Sequence, residues 1–161
     1  MYVLDTNIFI DAANAYYTFD LTPGYWDFIV GLFNSQRAVS ITQVYNELVR
    51  EDDEDSLKVW ARRNRKQFVD PDALVMASYR QVMEWARGQS YKPSAINEFQ
   101  SVADSWIVAH ALAYGWVVVT REKPAPGSKK RIKIPDACDA LNVEYLDPFT
   151  MLRDEEMSLV L

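Results

Sequence analysis

The chain has 161 residues, of which 49% are apolar and 25% are charged, and its net charge is −6 at pH 7. This length and composition predict one globular domain over residues 1–161, and the acidic balance argues against a surface that is basic throughout and binds nucleic acid non-specifically. The single cysteine, Cys138, cannot form an internal disulfide, which favours a reducing compartment. Without a signal-peptide pattern or an apolar run long enough to span a bilayer, we expect a soluble cytoplasmic protein with no membrane contact.

The apolar pattern alternates between strand and helix along the chain. It predicts a strand at 2–5, a helix at 7–13, a turn at 22–24, a helix at 25–34, a strand at 38–42 and helices at 43–52, 56–68 and 73–89. It continues with a helix at 101–115, a strand at 116–120, a loop at 123–130, a strand at 131–134, a helix at 135–142 and an edge strand at 143–146. Strands that alternate with helices predict an α/β fold with a mostly parallel sheet.

Four acidic residues lie where this fold would bind a ligand. Asp5 ends the first strand, and Glu122 follows the strand at 116–120. Glu47 lies in the helix after the second strand, and Asp104 lies in the first turn of the helix that precedes 116–120. Open parallel sheets bind ligands beyond the carboxyl ends of their strands, and a helix that runs back to a strand begins at that same edge. We therefore expect the four acids to share one cleft.

Carboxylates this close would repel each other unless a cation neutralised them. Mg²⁺ or Mn²⁺ is the expected ion because both prefer oxygen ligands, whereas one cysteine and one histidine are too few for a zinc site. Such an ion suits phosphoryl chemistry. The chain has no P-loop motif, and Asn7 stands where a phosphatase would have its second aspartate, so we favour hydrolysis of a nucleic-acid phosphodiester.

Each acid also has a purely structural interpretation. Asp5 could cap the helix that follows it, and Glu47 could lie on a solvated helix face. Asp104 could be a helix cap or an acid favoured by the helix dipole, and Glu122 could be an ordinary loop acid. The pattern of the residues leaves these alternatives open.

Several other residues receive structural interpretations. His110 is interpreted as a structural or surface histidine, and Asp11 as a helix-surface acid that could help to hold Asn7. The basic clusters at 62–66 and 129–133 are interpreted as solvated segments or, in a nuclease, as contacts to the RNA backbone. The acidic run at 51–55 is interpreted as a solvated segment. Most aromatic residues are assigned to the core, while three could stack RNA bases or line a subunit interface: Tyr16, Tyr17 and Trp26.

The segments around the four acids, taken in order, resemble the PIN-domain nucleases. These segments are DTN at 5–7, TQVYNEL at 42–48, SVADSWIVAHAL at 101–112 and VVVTRE at 117–122. The fuller pattern, with PGYWDF at 23–28 and the stretch at 134–153, resembles a PIN-like subgroup of uncharacterised prokaryotic proteins. The resemblance implies a three-layer α/β/α fold with a central mostly parallel sheet.

The same resemblance implies a Mg²⁺- or Mn²⁺-dependent endoribonuclease that hydrolyses RNA. Small members of the family are often toxins of toxin–antitoxin pairs, similar to the VapC type, so a homodimer and a cognate DNA-binding antitoxin are implied as well. Four residues correspond to the metal-binding acids: Asp5, Glu47, Asp104 and Glu122. Asn7 and Thr120 correspond to polar residues that orient ligands, water or the scissile phosphate.

One position departs from the family pattern. The fourth acid is more often Asp in the family, whereas this chain has Glu122, whose longer side chain could reach the ion through a water molecule. Trp106 is expected to add bulk near the rim of the cleft. The departure at Glu122 supports an alternative, a catalytically silent PIN-like module that binds RNA or a protein partner. A nuclease that acts on DNA ends or flaps ranks lower, because extra helices for threading a flap are not evident.

Overall fold

A single parallel sheet forms the centre of the structure, which is a computed structural model that describes residues 1–50 and 55–159. In spatial order its strands are β3 (Phe68–Val69), β2 (Ala38–Ile41), β1 (Tyr2–Leu4), β4 (Val117–Val119) and β5 (Tyr145–Leu146). All four pairings between these strands are parallel. The predicted α/β class is therefore confirmed.

The first strand of the chain lies in the middle of the sheet. Val3 pairs with Val39 of β2 on one side, and Leu4 pairs with Val119 of β4 on the other. The chain thus proceeds outward through β2 and β3 and then crosses to the other side of β1. The carboxyl ends of β1 and β4 form the point where the strand order reverses, which is where open α/β sheets bind ligands.

The described part of the chain contains nine α-helices, none of them long and apolar enough to cross a membrane. They are α1 (Thr6–Asp11), α2 (Pro23–Asn34), α3 (Thr42–Leu48), α4 (Ser56–Arg63), α5 (Ala73–Gly88), α6 (Pro93–Ser101), α7 (Ala103–Tyr114), α8 (Ile134–Leu141) and α9 (Pro148–Asp154). The π-helical turn Ala12–Tyr16 follows α1, and the 3₁₀ turn Arg65–Gln67 follows α4.

Helix α7 is the helix that positions the candidate site. It packs against β1 and β4 and, on its other side, against α5. Because it lies between the sheet and another helix, it is apolar around most of its circumference, with Ile107, Val108 and Ala111 all buried. The helix ends at Gly115, which adopts a left-handed conformation with φ 67°.

One predicted element is wrong in type, and a second is confirmed only in part. Residues 131–133 do not form a strand, because Ile132 and Ile134 bury their side chains from a loop and from the start of α8 instead of from a sheet. The helix predicted at 56–68 ends at Arg63. Phe68, the last residue of the predicted range, instead belongs to β3 and pairs in parallel with Ser40.

Several boundaries also differ from the prediction. The helix expected at 101–115 is α7, which begins at Ala103; Ser101 is the last residue of α6, and Val102 between the two helices is extended. The predicted turn at 22–24 is the start of α2, since proline is favoured in a first helical turn. Helices α6 and α9 were not predicted. Helix α3 ends at Leu48; residues 51 and 52 of the predicted helix, and 51–54 of the acidic run, lie outside the described residues.

We expect Gly115→Ala to lower the free energy of unfolding by about 1 kcal/mol, because a residue with a Cβ is strained in the left-handed region. No atom lies within 4 Å of the position of the added Cβ, so the effect would report on the backbone alone. The matched control is Gly88→Ala, where the space is equally open and φ is not positive. Urea unfolding should show a loss only for the first variant, and an equal response of both would contradict the explanation.

Candidate active site

A cavity of about 320 Å³ opens at the carboxyl ends of β1 and β4. All four acids that the sequence placed in one cleft line this cavity, and Asn7 lines it as well. The wall is completed by residues from α1, from α6 and from the segments after α3, after α6 and before α8: Thr6, Ile10, Arg50, Ala95, Glu98, Phe99, Val102, Arg131 and Ile132. A larger cavity of about 750 Å³ adjoins it at Ile10, Glu47 and Arg50 but is not lined by Asp5 or Asp104.

Asp5 is buried at the end of β1, with 2% of its surface exposed. One carboxylate oxygen, Oδ1, accepts a hydrogen bond of 2.7 Å from the backbone N–H of Thr6, and Oδ2 accepts one of 2.9 Å from the hydroxyl of Thr120. The parallel pairing of β1 with β4 brings Thr120 to this place. Asp5 is therefore the N-cap of α1, as its structural interpretation has it, and also a wall of the cavity.

Glu47 connects three helices and does not lie on a solvated face. Its Oε2 accepts a hydrogen bond of 2.5 Å from the hydroxyl of Thr6, and its Oε1 accepts one of 2.8 Å from the backbone N–H of Ala103. Ala103 is the first residue of α7, so Glu47 binds an amide that a helix start leaves without an intrahelical partner. The solvated-face interpretation of Glu47 is therefore wrong.

Asp104 lies one residue further along α7, in its first turn. Within residues 1–50 and 55–159, no group donates a hydrogen bond to its carboxylate. Burial raises the pKa of Asp104 to about 8, and repulsion from Asp5, Glu122 and Glu47 adds to the effect, while the charge of Arg131 opposes it. This carboxylate is the one that would gain most from a cation in the cavity.

The pKa of Asp5 is raised in the same way, to about 7, chiefly by burial. The hydrogen bond from Thr120 opposes the shift, and repulsion from Glu122 and Glu47 reinforces it. Two carboxyls in one cavity thus have pKa values near neutrality. Perturbed pKa values of this kind concentrate at functional sites.

Glu122 has different surroundings. Its Oε2 accepts a hydrogen bond of 2.7 Å from the backbone N–H of Ile134, and its Oε1 lies 3.4 Å from Nη2 of Arg131 and 3.9 Å from Nζ of Lys133. Its side chain is 9% exposed. The backbone N–H of Glu122 donates to the hydroxyl of Thr120 at 3.1 Å, so Thr120 connects Asp5 with the loop after β4.

The remaining candidates separate into two groups. Asn7 is exposed at the cavity, while Thr120 is buried behind it and acts on Asp5. Trp106 does not line the cavity; it stacks on Tyr79 of α5 at a centroid distance of 3.9 Å, because a residue two positions after Asp104 faces the other side of α7. Its predicted place at the cleft rim is wrong.

The residues given structural interpretations have structural contacts. His110 is buried in α7, where burial lowers its pKa to about 4. Asp11 pairs with Arg121 at 3.0 Å. Trp26 is buried and donates from its ring N–H to the carbonyl of Tyr17, whereas Tyr16 remains about half exposed.

Sequence reasoning did not single out Thr6 and Arg131 as site residues. The hydroxyl of Thr6 orients Glu47 from 41 positions away, a pairing that has no local sequence signal. Arg131 belongs to the predicted basic cluster at 129–133, which was the available signal for a positive charge near the acids. In the other cluster, Arg65 serves the fold: it donates to the carbonyl of Phe68 and lies over the ring of Tyr45.

The chemistry of the lining residues fits a hard divalent cation, because the donors are carboxylates without cysteine or histidine. The carboxylates surround the cavity individually: among the residues that the structure describes, no three His, Cys, Asp or Glu side chains form a ready-made ligand group. Asp104 and Asp5 are the residues best suited to hold the ion, with Glu47 at the adjoining wall.

The family follows from comparison with known proteins. A family model described as a domain of unknown function, DUF4411, matches residues 2–159. The chain belongs to the DUF4411 family. Comparison of this DUF4411 chain with curated proteins finds no match.

Two solved structures share the fold of this DUF4411 chain. One is VapBC2 from Rickettsia felis bound to a DNA fragment from its promoter, with 15% identity, a TM-score of 0.54, and coverage of 91% of this chain and 97% of that one. The other is FitAcB from Neisseria gonorrhoeae, with 17% identity, a TM-score of 0.52, and coverage of 92% and 99%. The predicted PIN-like fold is confirmed at this level.

We expect the metal-free protein to lose stability as the pH rises. The pKa values of Asp5 and Asp104 in the folded state, about 7 and about 8, exceed the value of about 3.9 for an unfolded aspartate. The folded state therefore binds more protons than the unfolded state, and the free energy of unfolding falls as pH rises from about 4 to about 8. His110 has a pKa of about 4 in the folded state and about 6.5 in the unfolded state, so it is mostly uncharged in both states above about pH 7, and the interval from about pH 7 to about pH 8 mainly reports on the carboxyls.

Urea unfolding in a chelator should show a loss of about 1 kcal/mol across that interval. Asp104→Asn should remove much of the pH dependence, because its amide cannot ionise. Glu84→Gln on the exposed surface of α5 is the matched control and should unfold like the wild type at each pH. A wild-type protein whose stability is constant across the interval would contradict the raised pKa values.

Proposed function

We propose that this protein is a Mg²⁺- or Mn²⁺-dependent endoribonuclease that hydrolyses phosphodiester bonds of RNA. One observation carries the proposal: the four predicted acids, which come from four separate segments, line a single cavity together with Glu98 at the reversal point of a PIN-like sheet. Separate structural roles would explain the contacts of each acid, but they would not explain why the acids share one cavity.

The residues of the chain have separate roles in this proposal. Asp104, with Asp5 and Glu47, holds the ion, which when bound acidifies a water molecule and neutralises charge on the phosphate. Thr120 fixes the orientation of Asp5, and Thr6 fixes that of Glu47. Such fixed orientations limit the reorganisation that the site needs before reaction.

Polar groups at the cavity wall complete the proposed site. The exposed amide of Asn7 is placed to contact the scissile phosphate or the attacking water. The guanidinium of Arg131 supplies a positive charge for a phosphate group, for which its planar set of donors is well suited. Lys129 and Lys130 are exposed beside it and extend the basic surface.

We further propose that the protein is the toxin of a toxin–antitoxin pair and acts in the cytoplasm as a homodimer with a cognate antitoxin. The support is the VapC-type resemblance of the motifs together with the shared fold. VapBC2 was crystallised with a fragment of its promoter, as expected of an assembly whose antitoxin binds DNA. For this chain, an antitoxin that carries the DNA-binding part would suit a toxin with a net charge of −6.

A second candidate function is a PIN-like module that binds RNA or a protein partner without catalysis. The contacts of Glu47 and Glu122 favour it, because each carboxylate accepts a hydrogen bond from a backbone amide that it would otherwise leave unpaired. Carboxylates with such structural roles are retained even when no ion is bound.

Asp104→Asn should lower the rate of RNA cleavage in Mn²⁺ by at least about 100-fold, because the amide cannot neutralise a divalent cation. Purified wild type, Asp104→Asn and the surface control Glu84→Gln should be compared on total RNA, with mapped 5′ ends. The control should match the wild type. Under inducible expression, wild type and control should arrest growth while Asp104→Asn should not; identical growth and identical RNA ends in all three would contradict the toxin proposal.

Calorimetry separates the nuclease from the silent module. We expect wild-type protein to bind Mn²⁺ and Asp104→Ala to weaken binding by about tenfold or more, since an uncompensated carboxylate is a stronger ligand than a hydrogen-bonded one. Unfolding measurements in chelator would show that the variant is folded. Absence of Mn²⁺ binding by a folded wild-type protein would favour the silent module.

A further inference from the structure

A basic loop connects β4 to α8 and passes beside the cavity. Over residues 123–133 it carries five positive charges, with no acidic residue between them: Lys123, Lys129, Lys130, Arg131 and Lys133. Four of these side chains belong to exposed residues. A loop of like charges repels itself, so it needs contacts elsewhere to adopt one conformation.

Both ends of this basic loop are held by acidic side chains. At the start, the carboxylate of Asp136 in α8 accepts hydrogen bonds of 3.0 and 3.1 Å from the backbone N–H of Ala125. At the end, the carboxylate of Glu122 accepts one of 2.7 Å from the backbone N–H of Ile134. Glu122, which precedes the loop, thus binds the residue that follows it, and Asp136, which follows the loop, binds a residue near its start.

Between these ties, the loop places one charge in the cavity. Ile132 is buried and lines the cavity, which anchors the loop beside the acids. Arg131, its neighbour, also lines the cavity, and its Nη2 lies 3.4 Å from Oε1 of Glu122. Lys129 is held as well: its carbonyl accepts from the backbone N–H of Lys92, and its ammonium lies 5.5 Å from the ring centroid of Tyr91.

The oxygens of Glu122 are therefore already engaged by the loop. Oε2 faces an amide, and Oε1 faces two cationic groups, on Arg131 and Lys133. To ligate an ion directly, Glu122 would have to leave the amide of Ile134 unpaired at the start of α8 and release Arg131 from its side. Asp5 and Glu47 also accept hydrogen bonds, so what distinguishes Glu122 is the pair of cationic side chains that face its Oε1. Asp104 receives no hydrogen bond from the described residues and has no such cost.

We propose that Glu122 is a positioning residue for RNA, which fixes the basic loop 123–133 and aims Arg131 at the scissile phosphate, and that it is not a ligand of the catalytic ion. This inference rests on the proposed nuclease function for its kinetic consequence. It also explains why glutamate occupies the position. Glutamate is one methylene longer than aspartate, and this length lets its carboxylate reach the amide of Ile134. The loop then binds the phosphate backbone of a single RNA strand by charge.

Three variants test the assignment. Glu122→Ala removes both loop contacts, Glu122→Gln keeps an acceptor for the amide of Ile134, and Glu144→Ala is the control, an exposed acid before β5. Glu122→Ala should bind Mn²⁺ within about twofold of the wild type, while Asp104→Ala loses about tenfold or more. With RNA as substrate, its KM should rise about tenfold while kcat changes less than about threefold. Glu122→Gln should recover most of the KM, and Glu144→Ala should match the wild type.

A readout without catalysis tests the loop itself. Trypsin cleaves after Lys and Arg, so cleavage within 129–133 reports how firmly the loop is held. Under conditions in which urea unfolding shows both proteins to be fully folded, we expect Glu122→Ala to be cut there about tenfold faster than the wild type and Glu122→Gln to be cut at an intermediate rate. The affinity for a fluorescein-labelled single-stranded RNA, measured by anisotropy in chelator, should be lower for Glu122→Ala than for the wild type. The affinity of the wild type should also fall more steeply with salt concentration than that of Glu122→Ala.

Two outcomes would overturn the assignment. Equal loss of Mn²⁺ affinity in Glu122→Ala and Asp104→Ala would make Glu122 a metal ligand, and unchanged tryptic cleavage of the loop in Glu122→Ala would remove its positioning role. If Glu122→Ala does not fold, Glu122→Gln is measured in its place, with the same directions and smaller effects. If the wild type neither binds Mn²⁺ nor cleaves RNA, the nuclease proposal fails, whereas the proteolysis and RNA-binding results still decide the role of Glu122.

Discussion

The structure depends on keeping the carboxylate of Asp5 buried at the end of its central strand. A buried carboxylate without partners is costly, and two donors offset that cost: the backbone N–H of Thr6 and the hydroxyl of Thr120. The first donor is available because α1 begins immediately after β1. The second is available because β4 pairs with β1 in parallel and ends at the same level. The start of α1 and the strand order thus each supply one of the two hydrogen-bond donors of Asp5.

Two of the other acids follow the same rule, since each is fixed by the backbone of a different element. Glu47 is tied to the first amide of α7, and Glu122 to the first amide of α8. These ties hold like charges around one cavity, where their mutual repulsion raises the free energy of the protein without a cation. If the proposed function is correct, the lost stability is the cost of keeping an ion site preorganised, a frequent compromise at functional sites.

The sequence predicted those parts of the molecule that follow from topology. Strand ends of a parallel sheet share an edge, so the shared cavity of Asp5 and Asp104 could be inferred without coordinates. Pairings between distant side chains could not be inferred, because the contact of Thr6 with Glu47 is created only by folding. The false strand at 131–134 has a similar origin: its alternating isoleucines fill a loop and a helix start, and periodicity alone does not distinguish these from a sheet.

The central place of β1 has a consequence for synthesis of the protein. Asp5 and Thr120 are 115 positions apart, yet they share a hydrogen bond in the middle of the molecule. Contacts of such large sequence separation form late, because closing a long loop loses conformational entropy before the contact contributes favourable free energy. A ribosome-bound nascent chain that lacks β4 has its innermost strand paired on one side at most and has no complete cavity. Translation itself thus delays the appearance of the site until most of the chain has been made.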